Sequence, residues 1–307
     1  MSTVEFKDRV AIVTGAGGGL GRSHALELAK RGVKVVVNDL GGSVDGSGGS
    51  QTMADKVVAE IEAAGGEAMA NGANVTKPDE VKAMVDAAIE KWGHVDILVN
   101  NAGILRDKSF SKMTLDDFRL VLDVHLMGSV ICTKAVWDHM KERKYGRIVM
   151  TTSSSGNYGN FGQTNYGAAK TGVIGLMNTL CLEGAKYDIR VNALSPTAAT
   201  RMTENLMPED ALALLTVESV TAGLVPLVCD DAPNRLIMCA GAGGYAATKV
   251  YETPGIHLAA ADQSAENVMA NIDKIRDGAG QEEYTSGAGQ TMKFLTAAAK
   301  AAGVALG

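Results

Sequence analysis

Val10-Ala-Ile-Val-Thr-Gly-Ala-Gly-Gly-Gly-Leu-Gly21 passes from an apolar, β-branched run through a cluster of glycines into a helical pattern. Gly15, Gly19 and Gly21 let the backbone turn tightly and come close to a bound pyrophosphate, with Leu20 between the last two. The helix N-terminus adds N–H donors and the positive end of a dipole. A glycine pattern alone is weak evidence. Here it joins a strand to a helix near the start of the chain, so it predicts a dinucleotide cradle on a parallel sheet.

Outward from that turn, short β-branched runs alternate with longer helical patterns, as βαβ units do. Strands are expected at 10–14, 33–39, 67–70, 97–100, 147–152, 190–194 and 236–239, with helices at 20–31, 52–64, 78–92, 114–143 and 165–187. The fold class is α/β: a Rossmann-type, doubly wound parallel sheet of about seven strands with helices on both faces, plus a C-terminal helical extension. Residues 1–245 form the main domain. Residues 246–307, with helical patterns at 265–276 and 291–302, are too polar for a second core and are expected to pack on the main domain or a partner subunit. The glycine-serine run 41–50 reads either as a surface loop or as a flap over the adenine end of a cofactor.

The chain has 307 residues, 46% of them hydrophobic, with 36 Gly, 6 Pro and a net charge of -6. The acidic balance argues against a nucleic-acid partner and leaves a small-molecule substrate. Cys132, Cys181, Cys229 and Cys239 lie in or beside apolar runs, without a Cys-x-x-Cys pair, and read as buried thiols. His24, His94, His125, His139 and His257 lack metal-site spacing, so no metal is expected. No apolar stretch reaches the ~18 residues that span a bilayer, so no membrane partner is expected. The opening residues do not read as a signal peptide, nor Ala305-Leu306-Gly307 as a peroxisomal tripeptide, which makes the cytoplasm the expected compartment.

Asp39 closes the second strand near the ~20-residue offset of an acidic ribose ligand. Its carboxylate can accept hydrogen bonds from the 2′- and 3′-hydroxyls and would repel a 2′-phosphate. Gly18 and Leu40 bring no basic side chain, so NAD is expected over NADP. Asn100-Asn-Ala-Gly103 ends the fourth strand, where small residues let the chain pass beneath a cofactor and an asparagine ties strand ends together. Met150-Thr-Thr-Ser-Ser-Ser-Gly156 places hydroxyls at the carboxyl end of the fifth strand, where doubly wound folds bind ligands. Ser153 lies thirteen residues before Tyr166, and spacing alone does not separate it from Ser154 and Ser155. Tyr166 and Lys170 share one helix face, so the ammonium is expected to lower the phenol from its free pKa of ~10. A phenol tuned in this way is a general acid or base.

These residues together resemble the short-chain dehydrogenase/reductase family over residues 6–245. The resemblance implies that Tyr166 transfers the proton and that Ser153 orients the substrate oxygen. Lys170 would lower the tyrosine pKa and hold the nicotinamide ribose. It extends the cofactor contacts to Asn101, Ala102 and Gly103, to Asn74 and Val75 after the third strand, and to Pro196 and Thr200 after the sixth. Asn38-Asp-Leu-Gly-Gly42, Asn101-Ala-Gly-Ile-Leu-Arg-Asp107 and Gly156-Asn-Tyr-Gly-Asn-Phe-Gly-Gln163 are further similar to one branch. That branch comprises the (3R)-hydroxyacyl-CoA dehydrogenase units of peroxisomal multifunctional β-oxidation enzymes, also classed as 17β-hydroxysteroid dehydrogenases. It implies an acyl-CoA or steroid substrate, and the family implies a homodimer or homotetramer through helices 114–143 and 165–187. The hydratase and sterol-carrier units of those enzymes are not expected here. A catalytically silent NAD-binding sensor or scaffold is the remote alternative, disfavoured because Ser153, Tyr166 and Lys170 are all present.

Several positions depart from the family pattern. His125 stands where the family has an asparagine that kinks a helix and anchors a relay water, so it reads as a modified relay or as a helix-packed histidine. Ser195-Pro-Thr-Ala-Ala-Thr200 replaces the usual Pro-Gly, and Asn74 replaces an aspartate while keeping an amide for adenine. Arg106, Lys108 and Arg201 are candidate cations for CoA phosphates. The amphipathic stretch 202–215 reads as a lid over an apolar substrate or as a helix packed on the core.

Overall fold

The computed structural model describes residues 4–42, 45, 52–198 and 208–306. The chain divides into two units, Met1–Thr248 and Lys249–Gly307. The first runs β1 (Val10–Thr14), α1 (Gly19–Lys30), β2 (Lys34–Asn38), α2 (Thr52–Ala63), β3 (Ala68–Asn71), α3 (Pro78–Trp92) and β4 (Ile97–Asn100). It continues with α4 (Leu115–Leu122), α5 (Gly128–Arg143), β5 (Gly146–Thr151), α6 (Ser154–Tyr158), α7 (Thr164–Gly184) and β6 (Ile189–Pro196). Last come α8 (Glu209–Leu214), α9 (Val217–Val228), β7 (Ile237–Gly241) and β8 (Gly244–Thr248).

The strands join in the order β3-β2-β1-β4-β5-β6-β7-β8. β1 to β7 are parallel, and β8 returns antiparallel along β7. The strand order reverses between β1 and β4, which opens a ligand crevice at their carboxyl ends. Burial on both faces explains the unbroken apolar runs. Ala11 and Val13 face Leu28, Val57 and Leu224 of α1, α2 and α9. Val10 and Ile12 face Val85, Val136 and Met177 of α3, α5 and α7.

The expected strands and helices of the first unit are present within a residue or two, and several features differ. The sheet has an eighth strand, so the first unit extends to Thr248 rather than 245. The expected helix 114–143 is interrupted by a π turn at Asp123–Met127, and 165–187 ends in a 3₁₀ turn at Ala185–Tyr187. α9 was not expected. Leu115–Arg143 and Glu209–Val228 are long and apolar enough to cross a bilayer, contrary to expectation. Their apolar side chains, Val121, Val136 and Met140 in one and Leu224 and Leu227 in the other, are buried in this fold. Cys132 and Cys181 are buried as expected, but Cys229 and Cys239 are only half-buried.

The second unit holds α10 (Ala265–Ala270), α11 (Ile272–Ile275) and α12 (Gly287–Ala302). The expected helix 265–276 breaks at Asn271. Glu252 and Glu282 bridge as a short antiparallel pair, and Lys293 pairs with Glu252 at 2.8 Å. None of the described residues from 249 onward is buried.

The amino end of β5 is held by Arg147, whose side chain is 1% exposed. Its guanidinium donates to the carbonyls of Gly146 (2.9 Å), Asp188 (2.7 Å), Cys229 (3.1 Å) and Asp230 (2.7 Å). It also reaches Asp188 Oδ2 at 3.1 Å and stacks 4.1 Å above the Tyr145 ring. Arg147→Met removes every one of these donors while keeping volume. Urea unfolding is expected to show a loss of about 3 kcal/mol or more. A loss under about 1 kcal/mol would mean that the network contributes little beyond packing.

Candidate active site

The glycine turn has the backbone that only glycine adopts without strain, with φ of +63° at Gly15 and +51° at Gly19. At Gly21 a Cβ would lie 2.2 Å from the Gly15 carbonyl oxygen, so α1 reaches the strand end only with a bare glycine there. Leu20 packs against the core below. Gly18 precedes α1 without a side-chain cap, and a Cβ there would meet nothing within 4 Å. First-turn N–H groups therefore remain for an anion, and the cradle fits a pyrophosphate.

Asp39 stands beside this cradle. Its Oδ2 accepts from the Gly17 N–H (2.7 Å) and its Oδ1 from the Gly41 N–H (2.7 Å). Ionised carboxylates have about four acceptor positions, so two remain for ribose hydroxyls. Asn101 Nδ2 donates to the carbonyls of Thr14 (2.9 Å) and Gly15 (3.1 Å). Thr14 Oγ1 accepts from the N–H groups of Asn101 and Ala102, both at 3.0 Å. Thr14 carries no local signal in the chain, yet it is the knot between β1 and β4. Gly103 lies so close to His125 that a Cβ would come within 2.3 Å of its ring.

The other cofactor candidates differ in what they offer. Asn74 Oδ1 is held by the Thr76 N–H (3.0 Å) and Thr76 Oγ1–H (2.9 Å), which leaves the amide end of the side chain for a base. Val75 is buried toward Gly128. Pro196 ends β6, and the Thr197 N–H after it donates to the Ala240 carbonyl at 2.8 Å. Thr200, Arg201 and the expected lid at 202–207 lie outside the described residues, as does most of the insertion 41–50.

The three catalytic candidates meet at the end of β5. Ser153 caps α6, its Oγ accepting from the Ser155 N–H at 3.2 Å, and its hydroxyl lies near enough to the Tyr166 phenol to lower its pKa. Ser155 is buried and donates to Gln163 Oε1, while Ser154 is exposed. The geometry therefore selects Ser153 from the three serines. Lys170 is 3% exposed, and its Nζ donates to the Thr151 carbonyl at 2.6 Å. Gly156 lets α6 lie against α7, because a Cβ there would fall 2.7 Å from Lys170 Cβ.

The expected pKa of Tyr166 needs correction. The phenol is pushed up to about 12, chiefly by burial, with the Ser153 hydrogen bond lowering it and the Asp107 charge raising it. Burial also brings Lys170 down to about 7, so near neutral pH it does not carry a full charge. Its Nζ lies 5.4 Å from the centre of the tyrosine ring. Sharing a helix face brings the two groups together, but it also takes both out of water, and desolvation outweighs their attraction.

His125 sits in the π turn, 3% exposed, edge-on to the Tyr166 ring with centroids 5.0 Å apart. Its Nε2 lies 2.8 Å from the Ile104 carbonyl oxygen and 3.1 Å from the Ile104 N–H. One ring nitrogen cannot serve both in its plane, and the shorter contact assigns the proton to Nε2. Burial first, and then the Lys170 charge, keep the ring neutral against the opposing pull of that carbonyl. His125 is thus packed in the π turn against Tyr166, with its Nδ1 buried and without a hydrogen-bond partner among the described residues. The candidate phosphate cations Arg106 and Lys108 are not free, since both pair with Asp117 at 3.3 and 2.9 Å. Sequence reasoning also passed over Gln163 and Asn165. Asn165 is fully buried and ties α7 to the Arg106 carbonyl at 3.1 Å.

Comparison with known proteins agrees with this geometry. Residues 9–211 match the family model described as short chain dehydrogenase. The chain is 47% identical over 280 residues to the peroxisomal multifunctional enzyme type 2 of Mus musculus, covering 90% of this chain and 38% of that enzyme. The structure of the full-length peroxisomal multifunctional enzyme type 2 from Drosophila melanogaster superposes with a TM-score of 0.81 at 36% identity, covering 96% of this chain and 50% of that one. A 7α-hydroxysteroid dehydrogenase complexed with NADH and 7-oxo glycochenodeoxycholic acid superposes at 0.71 with 27% identity, over 78% of this chain and 96% of that one. The chain thus spans 38% of the mouse enzyme and half of the Drosophila one.

The depressed Lys170 has a consequence for stability. Between its folded pKa of about 7 and its ordinary value of 10.5, the unfolded chain carries a proton that the folded chain lacks. The contribution of Lys170 to stability therefore improves as pH rises through that window. Chemical denaturation of wild type and Lys170→Met across it should show the difference moving in favour of wild type with rising pH. A difference independent of pH would mean that Lys170 stays charged in the fold.

Proposed function

The chain belongs to the short-chain dehydrogenase family, and from that premise we propose that it oxidises a (3R)-hydroxyacyl-CoA to the 3-ketoacyl-CoA with NAD. The observation that carries the reaction type is the convergence of Ser153, Tyr166 and Lys170 at the carboxyl end of β5. The hydroxyls of Ser153 and Tyr166 address one substrate oxygen. When bound, NAD would supply the hydride acceptor and a positive charge that favours the Tyr166 phenolate over the neutral phenol. The phenolate takes the alcohol proton, and Ser153 holds the oxygen while the carbon is oxidised. Lys170, buried beside them, would hold the nicotinamide ribose. Gly15, Gly19, Gly21 and Asp39 would hold the pyrophosphate and adenosine ribose, with Asn101, Ala102 and Gly103 beneath the nicotinamide side. In the reverse direction Tyr166 returns its proton to the developing alkoxide.

NAD is favoured over NADP because the Asp39 carboxylate would face a 2′-phosphate. An apolar substrate is supported by Tyr158 and Phe161, 75% and 91% exposed on the segment that joins Ser153 to Tyr166. The likeness to multifunctional enzymes supports acyl-CoA, and the likeness to a hydroxysteroid dehydrogenase supports a free 17β-hydroxysteroid as a second reading. We place the protein in the cytoplasm as a homodimer or homotetramer. Leu182, 52% exposed on α7, supports a subunit contact there.

NADH formation with (3R)- and (3S)-hydroxyacyl-CoAs and a 17β-hydroxysteroid, each with NAD and NADP, tests this reading. The (3R)-acyl-CoA with NAD is expected to turn over fastest, and Tyr166→Phe to reduce its rate by about 10²-fold or more. Turnover of the steroid alone would establish the second reading. NAD binding without turnover of any alcohol would overturn both.

A further inference from the structure

Beside Tyr166 three separate segments meet on one side chain. Gln163 Nε2 donates to Asp107 Oδ2 at 2.6 Å, on the loop that follows β4. Its Oε1 accepts from Ser155 Oγ at 2.7 Å and from Asn160 Nδ2 at 3.1 Å, in and after α6. The Ser155 N–H in turn donates to Ser153 Oγ at 3.2 Å. Gln163 occupies the cap position of α7 yet makes no cap hydrogen bond, so its carboxamide serves neighbouring segments rather than its own helix. Main-chain bonds reinforce the junction, from the Lys108 N–H to the Gly162 carbonyl (3.0 Å) and from Asn165 Nδ2 to the Arg106 carbonyl (3.1 Å).

The chemistry of the junction is directional. Ionised Asp107 only accepts, so it requires the NH₂ end of Gln163 and turns the carbonyl end toward Ser155. Ser155 then has its proton committed to Gln163, which fixes the turn whose N–H reaches Ser153. Tyr166 follows Gln163 by three residues, about one helical turn away. We propose that Gln163 is a positioning residue that holds Ser153 and Tyr166 at the separation at which both hydroxyls meet one substrate oxygen. Asp107 is its anchor and Ser155 its relay. The inference rests on the alcohol–ketone reading of this site and assigns a role to two residues, Gln163 and Asp107, that the reaction chemistry does not use.

An exchange of donor and acceptor tests it in the NAD-bound enzyme. Gln163→Glu keeps length and the acceptor for Ser155 but sets two carboxylates against each other at a 2.6 Å contact. Asp107→Asn alone keeps an acceptor oxygen for Gln163. The double variant rebuilds the bond with its direction reversed, an asparagine amide donating to a glutamate. With (3R)-hydroxydecanoyl-CoA as probe, Gln163→Glu is expected to lower kcat by about 10- to 100-fold. The affinity for NAD should stay unchanged, because the cradle is elsewhere. Set against Asp107→Asn alone, which lacks the charge that raises the Tyr166 phenol, the double variant should recover most of the kcat lost in Gln163→Glu.

Crystal structures of the same variants with NAD should show the Ser153–Tyr166 contact lengthened in Gln163→Glu and restored in the double variant. Wild-type kcat in Gln163→Glu would overturn the inference. So would a double variant of wild-type thermal stability that is no faster than the single, or an unchanged Ser153–Tyr166 contact. If wild type fails to oxidise the acyl-CoA, the substrate reading fails, and the crystal structures still decide the role of Gln163.

Discussion

Burial of Lys170 under the end of β5 is unfavourable for its charge, and the shape of the catalytic face follows from how the fold accommodates it. The amine gives a hydrogen to the carbonyl of Thr151, the last residue of β5. Thr152, one residue on, returns the contact by donating to the Lys170 carbonyl at 2.8 Å. These two bonds pin α7 to β5 in a single register. Tyr166, one turn earlier on the same face, is thereby carried to Ser153. Gly156 is part of the same constraint, since any side chain there would push α6 off Lys170.

The opposite wall of the crevice is built by different means to the same end. Sheet hydrogen bonds stop at the strand termini, and the polar groups released there need partners. Thr14 and Asn101 supply them between β1 and β4, while Asn38 Nδ2 does so between β2 and β3 by donating to the Ala73 carbonyl at 2.9 Å. The crevice is therefore a rim of tied strand ends and not merely a gap, and among the described residues only Asn100 Oδ1 and Thr151 Oγ1 at the ends of β4 and β5 stay buried without a partner there.

Much of this was legible in the chain because the signals are local. β-Branched runs bounded by glycine mark β1, β2 and β4, and Gly15–Gly21 states its own backbone requirement. β8 was missed because Gly244-Tyr-Ala-Ala-Thr248 is short, small and exposed along most of its length. α9 was missed because Gly223 and Pro226 interrupt the pattern. Pro226 falls in the last turn, where it removes one backbone bond to the preceding turn, and the buried Leu224 and Leu227 hold the helix. The π turn leaves the apolar periodicity nearly intact and so gives no sequence signal. Gln163 and Thr14 were invisible for a different reason, because their partners lie 56 and 87 residues away. The direction of the Tyr166 pKa was misjudged from spacing alone, which shows a neighbouring cation but not the loss of water around it.

The nucleotide end shows how packing and charge can favour the same choice. The Asp39 carboxylate is oriented by two backbone N–H groups, from Gly17 and Gly41, independently of any ligand. A Cβ on Gly17 would fall 2.8 Å from both the Asp39 carboxylate and Met53 Cβ, so this position cannot carry a long basic side chain toward a 2′-phosphate. Gly18, by contrast, opens onto free space and would admit one. Gly17 is thus closed to a cation by packing, while Gly18 lacks one only by residue choice. Under the proposed choice of NAD, a switch to NADP would require changes at Gly18 and Asp39 together. A cation at Gly18 alone would still face a carboxylate that the backbone holds in place, and loss of Asp39 alone would free the Gly17 and Gly41 N–H groups without supplying a positive charge.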